Sequence, residues 1–181
     1  RRGVREAVSF ETARGLGVDP ARLRFTGDEG WYLPPADRPA VDAALAAAGV
    51  ADGFIAVQMR LDGNSPFHDD LPAVARACDL LAGRTGRAIL LVPFSYADRD
   101  DDRQTLRALG ALMRAPWRLL DVDAQAGLTK GILSRAWVAV GVANHFCVFA
   151  ASVGVPTVGI HGTPYMAHKL TGVERQHRHF K

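Results

Sequence analysis

Trp137-Val138-Ala139-Val140-Gly141-Val142-Ala143-Asn144-His145-Phe146-Cys147-Val148-Phe149-Ala150-Ala151-Ser152-Val153-Gly154-Val155-Pro156-Thr157-Val158-Gly159-Ile160 carries the reading of the fold in one stretch. An apolar run at Trp137–Gly141 leads into a segment of helical length at about 145–153, and a second apolar run comes next at Thr157–Ile160. Neither run alternates polar with apolar residues. A strand that is apolar on both sides requires cover on both sheet faces, which helices provide. Strand, helix and strand in that order form the crossover unit of a parallel sheet.

The alternation extends upstream through the apolar runs Phe54–Met59, Ala88–Val92 and Arg118–Val122. Candidate helices fill the gaps at about 70–82, 99–114 and 124–135. In the first, Leu71, Val74, Cys78 and Leu81 share one face, Asp69 and Asp70 precede Pro72 at its start, and Gly83 is its expected stop. Asp100, Asp101 and Asp102 open the second, with Leu106, Leu109 and Met113 as its buried stripe. That acidic run reads as a solvated first turn favoured by the helix dipole rather than as a metal site. The pattern predicts an α/β fold, a parallel Rossmann-like sheet with helices on both faces.

The first third differs. A helix-like stretch, Val8 to Leu16, ends at Gly17, and a short strand is expected near Leu23–Phe25. Pro34, Pro35 and Pro39 then precede an Ala-rich helix, Val41 to Ala48, and a boundary falls between about 34 and 52. Residues 1–33 are too few to hold a core of their own, so they are expected to complete a neighbouring domain.

At 181 residues and 48% hydrophobic, the chain has the means to bury a sizeable core. Its net charge of +3 comes from scattered arginines, with no basic stripe interleaved with aromatics, which argues against a nucleic-acid face. A basic cleft still attracts small anions. Cys78 and Cys147 form no CxxC pair and read as core residues, so neither a metal nor a disulfide framework is expected. His177 and His179 lie in a polar tail, Glu174–Lys181, which reads as a frayed terminus in preference to a metal-ligand pair. No apolar run is long enough to span a membrane, and a cytoplasmic location is the default expectation.

Ligands of open parallel sheets bind beyond the carboxyl ends of the strands. This rule nominates Arg60, Asp62, Gly63 and Asn64 after the first strand, and Pro93, Ser95 and Tyr96 after the second. It adds Gly141, Asn144 and His145 after the fourth, His161, Gly162, Thr163 and Tyr165 after the fifth, and Lys169 in the next loop. Cations, hydroxyls and two histidines at one edge suit an anionic small molecule. His145 stands where a strand passes into a helix, a place that favours an anion and where an imidazole can exchange a proton. Its position fits an ordinary first-turn residue equally well. Arg60 is suited to clamp a carboxylate or phosphate through its planar fork, or to pair with Asp62 or another loop acid.

Several ordered segments resemble the polysaccharide pyruvyl transferases. They are Val4-Arg5-Glu6 with Ser9, Gly15-Leu16-Gly17-Val18, Asp28, the strand ending in Arg60, and Leu90-Leu91-Val92-Pro93-Phe94-Ser95 with Asp98. The most specific block runs from Val140 through His145 and Phe146 to Pro156, with Tyr165 and Lys169 beyond it. The resemblance implies the GT-B-like fold of two Rossmann-like domains. Residues 1–33 would then close the N-terminal domain, 34–52 would form a linker and helix, and 53–181 would form the C-terminal, donor-binding domain. It also implies transfer of a pyruvyl group from phosphoenolpyruvate to a pair of saccharide hydroxyls, with no cofactor or metal. Carried over residue by residue, His145 would transfer the proton, and Arg60 and Lys169 would hold the donor, with Ser95, Asn144 and His161 at the same edge. One position departs from the family pattern, since Ala143 stands where Gly-x-Arg-x-His commonly has its arginine. Other readings of the same fold are a nucleotide-sugar glycosyltransferase or epimerase, and a binding module without catalysis. The acid that would grip a ribose past the histidine is missing from Phe146–Ser152.

Overall fold

A computed structural model of the chain describes residues 2–61, 67, 69–97, 101–121 and 125–179, the side chains of 178 and 179 excepted. Asp62, Gly63, Asn64, Asp98 and Asp100 lie outside the described residues. Five parallel strands form the main sheet: β3 (Ile55–Gln58), β4 (Ile89–Leu91), β5 (Trp117–Leu119), β6 (Val138–Gly141) and β7 (Thr157–Gly159). Their spatial order is β5-β4-β3-β6-β7. The chain steps outward from β3 to β5, then returns to the other side of β3 for β6 and β7. The order therefore reverses between β3 and β6, where Gln58 pairs with Gly141. A second, two-stranded parallel sheet joins β1 (Arg2–Val4) to β2 (Leu23–Phe25). Packed beside it is the helix α1 (Ala7–Gly15), which buries no residue fully.

The central strands β3 and β4 behave as expected of a covered sheet, whereas β6 is half-buried at every second residue and β7 leaves Val158 exposed, against the expectation of cover on both faces. Phe54, Ala56, Leu90 and Val92 enter one core, while Ile55, Val57, Ile89 and Leu91 enter the other. The first core is closed by α2 (Arg38–Ala48), α5 (Ala126–Leu133) and α6 (Asn144–Ser152), through Val41, Leu45, Ile132 and Phe146 among others. The second is closed by α3 (Leu71–Thr85) and α4 (Asp102–Leu112), through Leu71, Ala75, Cys78, Leu106 and Leu109. Each buried Val, Leu, Ile or Phe among them contributes about 1.5–3 kcal/mol, so the two cores dominate the stability of the sheet.

Three local expectations change. Helix α3 runs past Gly83 to Thr85, and Gly86, at φ 66°, supplies the left-handed cap. β1 is a strand in a segment with no strand pattern. Lys169 lies in a helix rather than a loop, because α7 (Pro164–His179) occupies the stretch read as loop and frayed tail. Its start carries ordinary signals: Pro164 sits in the first turn, and the Thr163 hydroxyl accepts the Met166 amide at 3.2 Å.

Candidate functional site

The rim beyond the carboxyl ends of β3 and β6 is the crevice that strand-order reversal opens in such sheets. Arg60 lies just past β3 and is about one-third exposed. Its Nε donates to Asp102 Oδ1 at 2.6 Å and its Nη2 to Asp102 Oδ2 at 3.2 Å. The acid paired with Arg60 is therefore the helix-opening Asp102, and the solvated first turn expected there is corrected. Asp102 has no exposed surface. Three further donors explain how a carboxylate survives there: Gln58 Nε2 at 2.8 Å, Phe94 N at 2.8 Å and Ser95 N at 3.1 Å, all to Oδ2. Its own amide donates to the Ser95 carbonyl at 3.0 Å. A buried charge is tolerable when it is paired and its lone pairs are filled, as here.

Gln58 extends this cluster to β6. Its Oε1 accepts the amides of Ala143 at 2.9 Å and Val142 at 3.2 Å, the turn that leads into α6. Phe146 closes over that turn, and a Cβ at Gly141 would lie 2.6 Å from its ring. The glycine lets helix and strand approach this closely. Asn144 and His145 open α6, half-buried and exposed respectively, and no side chain caps this helix end. Backbone N–H groups at such an end carry a partial positive charge.

His145 Nε2 stands 3.5 Å from Oδ1 of Asp28, a buried carboxylate carried in by the turn after β2. The same Oδ1 accepts the Gly30 amide at 2.9 Å, and Arg5 Nη1 approaches Oδ2 at 3.5 Å. Burial pushes the Asp28 carboxyl upward. The contact with His145, the Gly30 amide and the charges of His145 and Arg5 outweigh it and hold the group below the ordinary aspartate value. Gln176 of α7 accepts the Asp28 amide at 3.0 Å, and Lys130 Nζ donates to the carbonyls of Gly30 and Trp31 at 3.0 and 2.8 Å. The turn bearing Asp28 is thus tied to both α5 and α7.

The remaining predicted residues divide. Asn144 and Lys169 line a narrow crevice with Arg5, Glu6 and Asp28. The Lys169 ammonium lies 4.3 Å from the Tyr165 ring centroid, and its hydrogen bond and charge lower the Tyr165 phenol. Ser95 is held in the Asp102 cluster by its backbone, and its side chain is half-buried. His161 is placed elsewhere. It lines a separate cleft of about 590 Å³ between β7, α6 and α7, together with Thr157, Thr171, Glu174 and His177. Position beyond the strand ends does not single out Gln58, Asp102 or Lys130 as site residues. Arg5 and Asp28 drew notice only through the family resemblance. Gln58 carried a usable signal, because a polar side chain inside a doubly buried strand must find partners.

The sequence profile of the family described as Polysaccharide pyruvyl transferase matches residues 1–161. No curated protein matches the chain. Among solved structures, similar chains include a putative UDP-N-acetylglucosamine 2-epimerase from Listeria monocytogenes, at TM-score 0.62 and 13% identity over 93% of this chain and 43% of that one. The UDP-GlcNAc 2-epimerase of Methanocaldococcus jannaschii gives TM-score 0.58 and 11% identity over 92% of this chain and 52% of that one. That of Neisseria meningitidis, bound to UDP-GlcNAc, gives 0.53 and 9% over 97% of this chain and 51% of that one. The chain spans about half the length of these enzymes. At such identities the likeness shows the fold alone, a GT-B-like α/β architecture.

Proposed function

The chain belongs to the polysaccharide pyruvyl transferase family, and from that premise we propose that it forms the donor-binding half of an enzyme that transfers pyruvyl from phosphoenolpyruvate to a saccharide. In this reading residues 1–33 close a first Rossmann-like domain, 34–52 form linker and helix, and 53–181 make the second domain. The enzyme works in the cytoplasm in polysaccharide biosynthesis. No helix among the described residues is long and apolar enough to cross a membrane. The supporting observation is the placement of Arg60 and His145 after the two strands that flank the reversal of sheet order.

The chemistry assigns their roles. The methylene carbon of the enol takes a proton, which leaves the adjacent carbon electrophilic. One saccharide hydroxyl adds to that carbon. The bond to the phosphate oxygen breaks and a second hydroxyl closes the ketal, releasing inorganic phosphate. His145 delivers the proton, held by Asp28 through the 3.5 Å contact. Arg60 binds the donor's carboxylate or phosphate while Asp102 fixes it. Asn144 and Lys169, with Arg5, add polar and positive groups beside the same helix end. Lys169 and Arg5 supply cationic charge beside Asn144, the residue after Ala143, where the family's usual arginine is missing. Ser95 belongs to the Arg60 side of the rim, and His161 to the neighbouring cleft.

A second reading, a nucleotide-sugar epimerase, draws on the fold of the three solved enzymes. It is weakened by the stretch Phe146–Ser152, which offers no acid for a ribose. An inactive binding module draws on Ala143 alone. The test is phosphate release and ketal formation by the intact protein, with thermal shifts for phosphoenolpyruvate, a UDP-sugar and CMP. His145→Ala is expected to abolish turnover with the fold retained, and Arg60→Ala to raise the donor KM. Unchanged kinetics in both variants would remove the assignment, and stabilisation by the UDP-sugar alone would select the epimerase reading.

A further inference from the structure

Asp102 collects donors from two segments at the rim, the end of β3 and the loop after β4, and the geometry of its two oxygens is unequal. Oδ2 accepts Gln58 Nε2, Arg60 Nη2 and the amides of Phe94 and Ser95. Oδ1 accepts Arg60 Nε alone among these, at 2.6 Å. Gln58 passes the connection across the strand reversal, since its other end holds the Val142 and Ala143 amides ahead of His145. We propose that Asp102 is the positioning residue of the donor site, fixing the Arg60 fork, and that Gln58 couples it to the turn that aims His145. This rests on the reading of Arg60 as the donor clamp.

The physical case lies in the burial. Asp102 and Gln58 are both wholly inaccessible, so neither touches a ligand and each acts through what it holds. An arginine on a loop loses much rotamer entropy when it grips an anion, and a partner that fixes the fork beforehand removes that loss. The carboxylate also offsets part of the charge that Arg60 presents. That suits a site that must bind an anion and still release phosphate.

The inequality of the two oxygens makes a selective variant available. In Asp102→Asn the amide oxygen can occupy the Oδ2 position and keep the Gln58, Phe94, Ser95 and Arg60 Nη2 donors. The NH2 then faces Arg60 Nε–H, donor against donor. The loop architecture is retained, and Arg60 loses its 2.6 Å bond through Nε while the longer Nη2 contact remains. In the intact protein, Asp102→Asn is expected to raise the donor KM by about tenfold or more, the value of one lost charge-assisted bond. The kcat is expected to stay within about twofold. In an Arg60→Ala background the same substitution is expected to add nothing, since the two act as one unit. Gln58→Met is expected to lower kcat as well, because it frees the His145 turn. A readout independent of catalysis is the Arg60 Nε–H resonance. It should be slow to exchange in the wild type, and lost or fast in Asp102→Asn with the Phe94 and Ser95 amides unchanged. An unaltered resonance, effects additive with Arg60→Ala, or a Gln58→Met kcat like that of the wild type would overturn the proposal. Absence of any wild-type turnover would count against the pyruvyl reading and leave the resonance to decide this one.

Discussion

Replacing Lys130 by Met probes how the turn bearing Asp28 is held to α5. Lys130 is 2% exposed, and its Nζ is bound by two carbonyl oxygens, those of Gly30 and Trp31. Bonds from a charged donor contribute about 1.5–3 kcal/mol each, so roughly 3–6 kcal/mol is removed in gross terms. Against this, an ammonium bound by two carbonyls, with the Phe149 ring centroid 5.8 Å away, carries a desolvation cost of several kcal/mol, which Met avoids while filling similar space. Both carbonyls belong to half-buried residues, so water recovers part of the loss. The net expectation is a destabilisation of about 2 kcal/mol, read from urea unfolding of the intact protein by tryptophan fluorescence. Burial lowers the Lys130 pKa below 10.5. Between the folded value and 10.5 the unfolded state binds more protons, so wild-type stability rises with pH across that window and the Met variant lacks this gain. The deficit of Lys130→Met should therefore widen as pH climbs toward 10.5. A variant as stable as the wild type, or a deficit that narrows on that climb, would refute the reasoning.

Asp28 sits below its ordinary value, so its stabilising effect is full above pH 3.8 and fades as pH falls through the folded value. Asp28→Asn should therefore lose less stability than the wild type on acidification, as tracked by unfolding midpoints at several pH values. Gly110→Ala should destabilise by about 1 kcal/mol, because overpacking of about 1–3 kcal/mol outweighs the helix preference of Ala. The new Cβ would stand 2.4 Å from the Trp117 ring, and a shifted urea midpoint checks it. Burial raises Cys78 to about 11 and Cys147 to about 12, with Asp79 assisting at Cys78. Neither thiol should react with a disulfide reagent at pH 8 until denaturant is added.

The sheet was legible because Ile55–Gln58 and Ile89–Leu91 are buried on both faces, and that demand leaves unbroken apolar runs in a sequence; Val138–Gly141 keeps such a run although every second residue is half-buried. The edge that carries the candidate residues was legible for a related reason: parallel strands deliver the loops after β3, β4 and β6 to one side of the sheet. The groups that hold them were not legible. Asp102 sits in an acidic run whose ordinary place is the surface, and only the convergence of the loops after β3 and β4 explains its burial. Lys130 has the same character, since a lysine in a helix ordinarily reaches water. β1 is three residues long and, among the described residues, pairs with β2 alone, which leaves too little pattern to read. In α7 a polar composition hid the helix, and only Thr163 and Pro164 marked its start.

The account turns on where an anionic donor comes to rest. A crystal structure of the intact protein with phosphoenolpyruvate tests this most directly. The donor's carboxylate or phosphate is expected against the Arg60 fork, with its methylene carbon facing His145 at the start of α6. A donor seated instead in the cleft lined by His161 and His177, touching neither Arg60 nor His145, would contradict the account.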